Sequence, residues 1–214
     1  MSAAAESPGD YAAKKDYLFK FVPPQLREQL KLDYEASYSL TDMHSADKIT
    51  RDLARFAPTA GTVLDATACV GGNTYSFSRV FAHVAAMEIH PTRFQYLQHN
   101  MAVLGAANVR CLQGDALELV ARPPHQRYAA IFIDSPWGGP DYKKADRLQL
   151  HLSGLPLAQA CRRMAPHTEL FCIKTPTNFD ADAFLATTQD FLTLVWQNAH
   201  LRKIHAYILR VRTK

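Results

Sequence analysis

Hydrophobic positions along this chain switch between two spacings, and the switching predicts alternating helices and strands. Ile49, Leu53 and Phe56 recur at helical spacing after Ser45, and Pro58 closes that pattern. Residues 62–66 form a short apolar run that ends in an acid. A helix is expected from Thr74 to about Phe81, a strand over 83–89, and a helix opened by Pro91 and stopped by Gly105. Residues 109–113 and 129–133 read as strands, and 148–164 as a helix interrupted at Gly154-Leu155-Pro156. A strand over 169–174 and a helix over 180–190 follow, with 192–197 and 203–212 as a closing antiparallel pair. This alternation predicts an α/β fold: a doubly wound, Rossmann-like, seven-stranded and mostly parallel sheet with an antiparallel C-terminal strand.

The pattern is weaker ahead of residue 45. Residues 1–10 are rich in Ala, Ser and Gly and are expected to be a disordered tail. Residues 11–44 are expected to form a helical extension. Tyr17, Leu18, Phe21, Leu26 and Leu30 suggest two short amphipathic helices broken at Pro23-Pro24, and 31–41 reads as irregular. Helices this short must dock on something to persist. Residues 45–214 form the main domain.

Composition narrows the picture only modestly. A chain of 214 residues, 48% of them hydrophobic, supports one domain with an appendage. The net charge of +4 permits a polyanionic partner without requiring one, and Arg202, Lys203, Arg210, Arg212 and Lys214 concentrate basic charge near the end. Cys69, Cys111, Cys161 and Cys172 show no paired spacing, and the nine His fall in no ligand pattern, so no metal is expected. There is no signal-peptide pattern and no apolar run near 20 residues, which predicts a soluble, intracellular chain without resolving nucleus from cytoplasm.

Candidate chemistry enters at the strand ends. Asp65, Glu88, Asp115 and Asp134 each close a predicted strand. One such acid is ordinary helix capping, but four in consecutive βα units would line one crevice, where open α/β sheets bind ligands. The interval from Asp65 to Glu88 suits an acid that takes ribose hydroxyls. Residues 67–73 lack both the Gly-x-Gly-x-x-Gly and the Gly-Lys-Ser/Thr phosphate patterns, and an acid ahead of the loop would repel a pyrophosphate. A nucleoside cofactor without phosphate is expected. S-adenosylmethionine, whose hydroxyls, amine and ammonium all suit carboxylate acceptors, fits that description.

The turn after the fourth strand is the most distinctive stretch. Asp134-Ser135-Pro136-Trp137 resembles the Asn/Asp/Ser-Pro-Pro-aromatic motif of methyltransferases acting on exocyclic amines. With Gly138-Gly139-Pro140-Asp141-Tyr142 it is similar to the signature of the trimethylguanosine synthase family, which methylates N2 of a 7-methylguanosine RNA cap. Leu64-Asp65-Ala66 with Val70-Gly71-Gly72-Asn73-Thr74 resembles that family's cofactor loop, and Glu88-Ile89-His90-Pro91 its Asp-Ile-Asp-Pro. Lys31-Leu32-Asp33, Glu35 and Tyr38-Ser39-Leu40-Thr41 resemble an upstream segment. The resemblance implies that Thr41, Asp65, Thr67, Cys69, Gly71, Asn73, Thr74, Glu88, Asp115 and Asp134 serve S-adenosylmethionine. It implies that Asp134, Ser135 and Pro136 are catalytic, and that Tyr38, Trp137 and Lys174 face the substrate, Lys174 as a point charge for a phosphate. It also implies that the N-terminal extension packs over the active site, and that the partner is a capped RNA or cap nucleotide, with no metal and no membrane.

The chain departs from the family pattern at four places. Cys69 stands for a glycine, Ser135 for the first proline of the catalytic motif, Ser37 for a Trp, and Lys174-Thr175 for a Pro-Arg pair. The departures leave two alternatives beside cap N2 methylation. One is the same chemistry on another exocyclic amine in RNA, and the other is an inactive RNA-binding or scaffold module with the same fold.

Overall fold

The computed structural model describes residues 8–122, 127–198, 201 and 203–212. The expected tail at 1–7 lies outside them, while residues 8–10 open the first helix. In chain order the elements begin α1 (Pro8–Leu18), α2 (Pro24–Gln29), α3 (Tyr34–Ser39) and α4 (Met43–Ala54). There follow β1 (Thr62–Asp65), α5 (Gly72–Ser78), β2 (His83–Glu88), α6 (Pro91–Val103), β3 (Val109–Gln113), α7 (Ala116–Leu119) and β4 (Ala130–Ile133). The chain then runs through β5 (His151–Leu152), β6 (Leu155–Pro156), α8 (Leu157–Met164), β7 (Leu170–Pro176), α9 (Ala181–Thr188), β8 (Leu192–Asn198) and β9 (Ile204–Val211).

Seven strands form one sheet in the order β3-β2-β1-β4-β7-β9-β8. The first five are parallel to one another, and β9 inserts antiparallel between β7 and β8. Strand order reverses between β1 and β4, so the carboxyl ends of those two strands flank the crevice where doubly wound sheets take ligands. Successive residues point to opposite faces. Leu64, Met87, Ile131, Ile133, Phe171 and Ile173 pack with Leu117, Leu157, Met164 and Phe184 from α7, α8 and α9. Val63, Val84, Phe132, Cys172 and Ile208 pack with Ile49, Leu53 and Phe77 from α4 and α5. On that second face Ala86 also meets Leu97 and Met101 of α6.

Two expectations need correction. The segment 31–41 is not irregular throughout: Asp33 caps α3 by accepting from the Ala36 N–H at 2.8 Å. Leu32, Ala36 and Leu40, one turn apart, are buried. Residues 148–164 do not begin as a helix. Ser153 and Gly154 both take positive φ (53° and 78°), as a two-residue hairpin turn demands, so β5 and β6 form before α8 starts at Leu157.

The N-terminal helices bury a core of their own. Leu18, Phe19, Val22, Leu30, Ala36, Leu40 and Met43 close on Val70 of the β1–α5 loop and on Tyr96 and Leu104 beside α6. Asn100, fully buried on α6, fastens this contact. Its Oδ1 accepts from the Lys31 N–H at 2.8 Å, and its Nδ2 donates to the Lys31 and Val70 carbonyls at 3.0 Å each.

Candidate active site

The crevice is built first from the β1–α5 loop. Asp65 ends β1 almost wholly buried, accepting from the Thr74 hydroxyl at 2.7 Å and the Thr67 N–H at 3.3 Å. Both its oxygens therefore brace the loop from beneath rather than line its surface. Burial pushes its carboxyl up to about 7, and the nearby Asp134 and Glu88 carboxylates add to the rise. At the crown of the loop Cys69 adopts a left-handed conformation (φ 51°), which costs a non-glycine residue about 1–2 kcal/mol. Its N–H is repaid by Glu88 Oε2 at 2.9 Å, and burial with the Glu88 charge pushes its thiol up to about 12. A Cβ on Gly72 would lie 2.8 Å from the Thr41 carbonyl, so the glycine permits the N-terminal segment to lie directly on the loop. Asn73 completes that junction, donating to the Thr41 hydroxyl at 2.9 Å.

Glu88, buried at the end of β2, holds the next corner. Its second oxygen accepts from the His90 N–H at 2.8 Å. The Arg93 guanidinium lies 3.5 Å from Glu88, 2.7 Å from Glu35 and 3.4 Å from Asp33, tying α3 to this acid. Asp115, half-buried, caps α7 through the Leu117 N–H at 2.8 Å, the ordinary structural use of an acid after a strand.

The other side of the crevice is the end of β4. The Asp134 N–H donates to the Thr67 hydroxyl at 2.8 Å, joining this turn to the loop. The Asp134 carboxylate pairs with Lys174 of β7 at 2.6 Å. Burial raises the Asp134 pKa, against the pull of Lys174 and of the neighbouring Trp137 indole N–H, which makes no hydrogen bond of regular geometry. Lys174 is itself buried and sits 4.9 Å from the centroid of the Trp137 ring. The ammonium expected to meet a phosphate is paired here with Asp134, because a buried cation needs a counter-charge. Trp137 is half-buried, packed against the core and edge-on to Tyr142 at 5.0 Å.

Gly138 and Gly139, both at positive φ (92° and 77°), turn the chain into a 3₁₀ segment over Pro140–Lys144. Asn178, which nothing in the sequence pattern singled out, pins that segment by donating to the Tyr142 and Ala145 carbonyls at 2.8 and 2.7 Å. Ser135 is buried with its hydroxyl unpartnered, whereas Pro136 is exposed. Ser37, in the place of the family's Trp, is buried in α3 and donates to the Tyr34 carbonyl at 2.6 Å. Tyr38 is half exposed on α3, edge-to-face with Tyr34 at 5.3 Å. The structure thus gathers Thr41, Asp65, Thr67, Cys69, Asn73, Thr74, Glu88, Asp134 and Lys174 at one sheet edge, with Tyr38 on the outer surface of α3.

A family model described as RNA cap guanine-N2 methyltransferase matches residues 60–208, spanning the loop, all four strand-end acids and the Trp137 turn. The chain belongs to that family. The family's members are S-adenosylmethionine-dependent methyltransferases. Trimethylguanosine synthase of Saccharomyces cerevisiae is 24% identical over 194 residues, covering 84% of this chain and 61% of that protein. Uncharacterized protein L320 of Acanthamoeba polyphaga mimivirus is 30% identical over 124 residues, covering 57% of this chain and 48% of that protein. The chain thus spans about half to three-fifths of the length of these two relatives. Among solved structures, the N-terminal domain of EvdMO1 with SAH bound shares the fold with a TM-score of 0.58 at 11% identity, covering 99% of this chain and 100% of that one.

The family's cofactor fits the groups present. Glu88 Oε2 accepts one backbone N–H and has capacity for a second donor such as a hydroxyl, while Oε1 meets the His90 N–H and Arg93, and Asn73 Oδ1 is a buried acceptor without a partner among the described residues. Among the described residues no cluster of three His, Cys, Asp or Glu could hold a metal, and no helix is long and apolar enough to cross a membrane.

Proposed function

We propose that this family member transfers a methyl group to the exocyclic N2 amine of a 7-methylguanosine RNA cap. The observation that carries the reading is the pairing, at the end of β4, of a half-buried acceptor and a large aromatic ring one strand away from the cofactor loop. In this reading Asp65, Thr67, Cys69, Gly71, Asn73, Thr74, Glu88 and Asp115 shape the S-adenosylmethionine site, with Thr41 closing it from the N-terminal side. Residues 11–44 act as a lid on that site.

S-adenosylmethionine, when bound, supplies an electrophilic methyl group. The chain's own task is to present the amine. An aryl amine is a weak nucleophile because its lone pair is delocalised into the ring. Asp134 accepts an amine proton, the carbonyl beside Pro136 accepts another, and together they turn the lone pair toward the methyl. Positioning of this kind contributes several kcal/mol, within the roughly 7–11 kcal/mol available in favourable cases. After transfer the proton is acidic, and Asp134 can take it. Trp137 stacks on the base. A 7-methylated guanine is cationic, and an indole face attracts a cation by about 0.5–2 kcal/mol.

Two readouts test the proposal. Calorimetry should detect S-adenosylmethionine binding, and its absence would favour an inactive scaffold. In competition, 7-methylguanosine nucleotides should displace substrate better than plain guanosine nucleotides. Equal displacement would point to another exocyclic amine in RNA.

A further inference from the structure

Lys174 is out of place by packing alone. It lies inside β7, whose seven residues are all buried, and it is a cation among Phe171, Cys172 and Ile173. Among the described residues its ammonium makes one hydrogen bond, to Asp134 Oδ2 at 2.6 Å, and otherwise faces the Trp137 ring at 4.9 Å. An ammonium has three donors, and a buried ion pair kept for architecture normally has its remaining donors and acceptors met. Here the surroundings are unfinished: Ser135 Oγ is buried without a partner among the described residues, and the Trp137 Nε1–H reaches Asp134 only with irregular geometry.

The two contacts Lys174 does make are those the proposed substrate needs. A cationic base with an exocyclic amine would donate to Asp134 and lay positive charge against the Trp137 indole. We infer that Lys174 is an internal stand-in for the substrate cation, holding the Asp134–Trp137 subsite until a cationic base displaces it. The displacement exchanges one positive charge for another, so the half-buried Asp134 never lacks a counter-charge. A neutral guanine brings Asp134 no positive charge in exchange, so the lysine acts as a specificity residue. The side chain can swing because its stem is flexible, while its backbone stays fixed opposite Ala206 of β9. The inference rests on the cap reading above.

The test uses 7-methylguanosine nucleoside, which has no phosphates, beside 7-methylguanosine triphosphate, with S-adenosylhomocysteine present. Calorimetry on the Lys174→Met protein should show nucleoside binding tightened by roughly tenfold, the size of one desolvated cation–π contact. Unchanged or weaker nucleoside binding overturns the inference, and weakening confined to the triphosphate would make Lys174 a phosphate contact instead. A second measurement leaves the chain unaltered: trace acetylation of wild-type Lys174, read by mass spectrometry. Labelling should rise several-fold with the nucleoside and not with guanosine, and an unchanged rate counts against displacement even if the Met variant misfolds. If the nucleoside binds neither protein, the cap reading itself fails.

Discussion

The two sides of the crevice are finished to different degrees. On the β1–β2 side Asp65 and Glu88 each use both oxygens on groups of the same chain. Asn100 makes three hydrogen bonds there with no exposure. On the β4–β7 side Ser135 Oγ and Asn178 Oδ1 are buried without a hydrogen-bond partner among the described residues, and Trp137 Nε1 reaches Asp134 only with irregular geometry. A buried polar group left unmet costs about 1–3 kcal/mol, so this side keeps bonding capacity that a ligand or an ordered water can complete. On the proposed reading, the contrast separates a preformed cofactor frame from a substrate subsite where Lys174 gives way to the base.

The sharpest way to break the contrast is at Asp134. Asp134→Ala should lower turnover by roughly 100-fold or more, with the cofactor dissociation constant nearly unchanged. Retained turnover would make the carboxylate structural. Next in size is Asn100→Ala, which leaves the Lys31 N–H and two carbonyls without partners. It should cost about 2–4 kcal/mol in denaturant unfolding and loosen the N-terminal helices to proteolysis. A loss below ~0.5 kcal/mol, ordinary for a surface change, would mean the frame is not pinned there. Trp137→Ala should raise the Michaelis constant for a capped substrate about tenfold and spare the cofactor, and equal effects on both would refute stacking.

Much of this frame was legible in the chain. Strand ends carry acids because their spacing is local, and the alternation of helix and strand fixes their common edge. The hairpin at 151–156 was less legible, since Ser153-Gly154 resembles a helix interruption until its φ values are known. Helix α3 carried a signal in Asp33 and the four-residue spacing of Leu32, Ala36 and Leu40, but six residues make a weak pattern. Asn100 and Arg93 were out of reach because their partners lie 69 and 60 residues away, joined only by tertiary packing. The Lys174–Asp134 pair is the same case, 40 residues apart across two strands.

Smaller effects probe the frame itself. Burial raises the Asp65 carboxyl from an ordinary 3.8 to about 7, so the folded chain keeps this proton at pH values where the unfolded chain has lost it. Folding therefore takes up a proton between those values, and this contribution to stability falls as pH rises from 3.8 to about 7. Asp65→Asn should flatten that part of the stability–pH curve, and an unaltered curve would contradict the burial account. The smallest change expected is Cys69→Gly, which removes left-handed strain worth about 1 kcal/mol while deleting a small, partly buried side chain. It should leave stability equal or slightly raised and cofactor affinity intact, whereas a marked loss would give the thiol a role of its own.

The central claim meets its most direct test in one incubation. The chain is mixed with S-adenosylmethionine carrying an isotopically labelled methyl and with 7-methylguanosine nucleotide, and the product is read by mass with fragmentation to locate the label. The account predicts labelled methyl on the exocyclic N2 of the 7-methylated base, lost with Asp134→Ala. Label on plain guanosine nucleotide at equal rate, or no label while the cofactor binds, would contradict it.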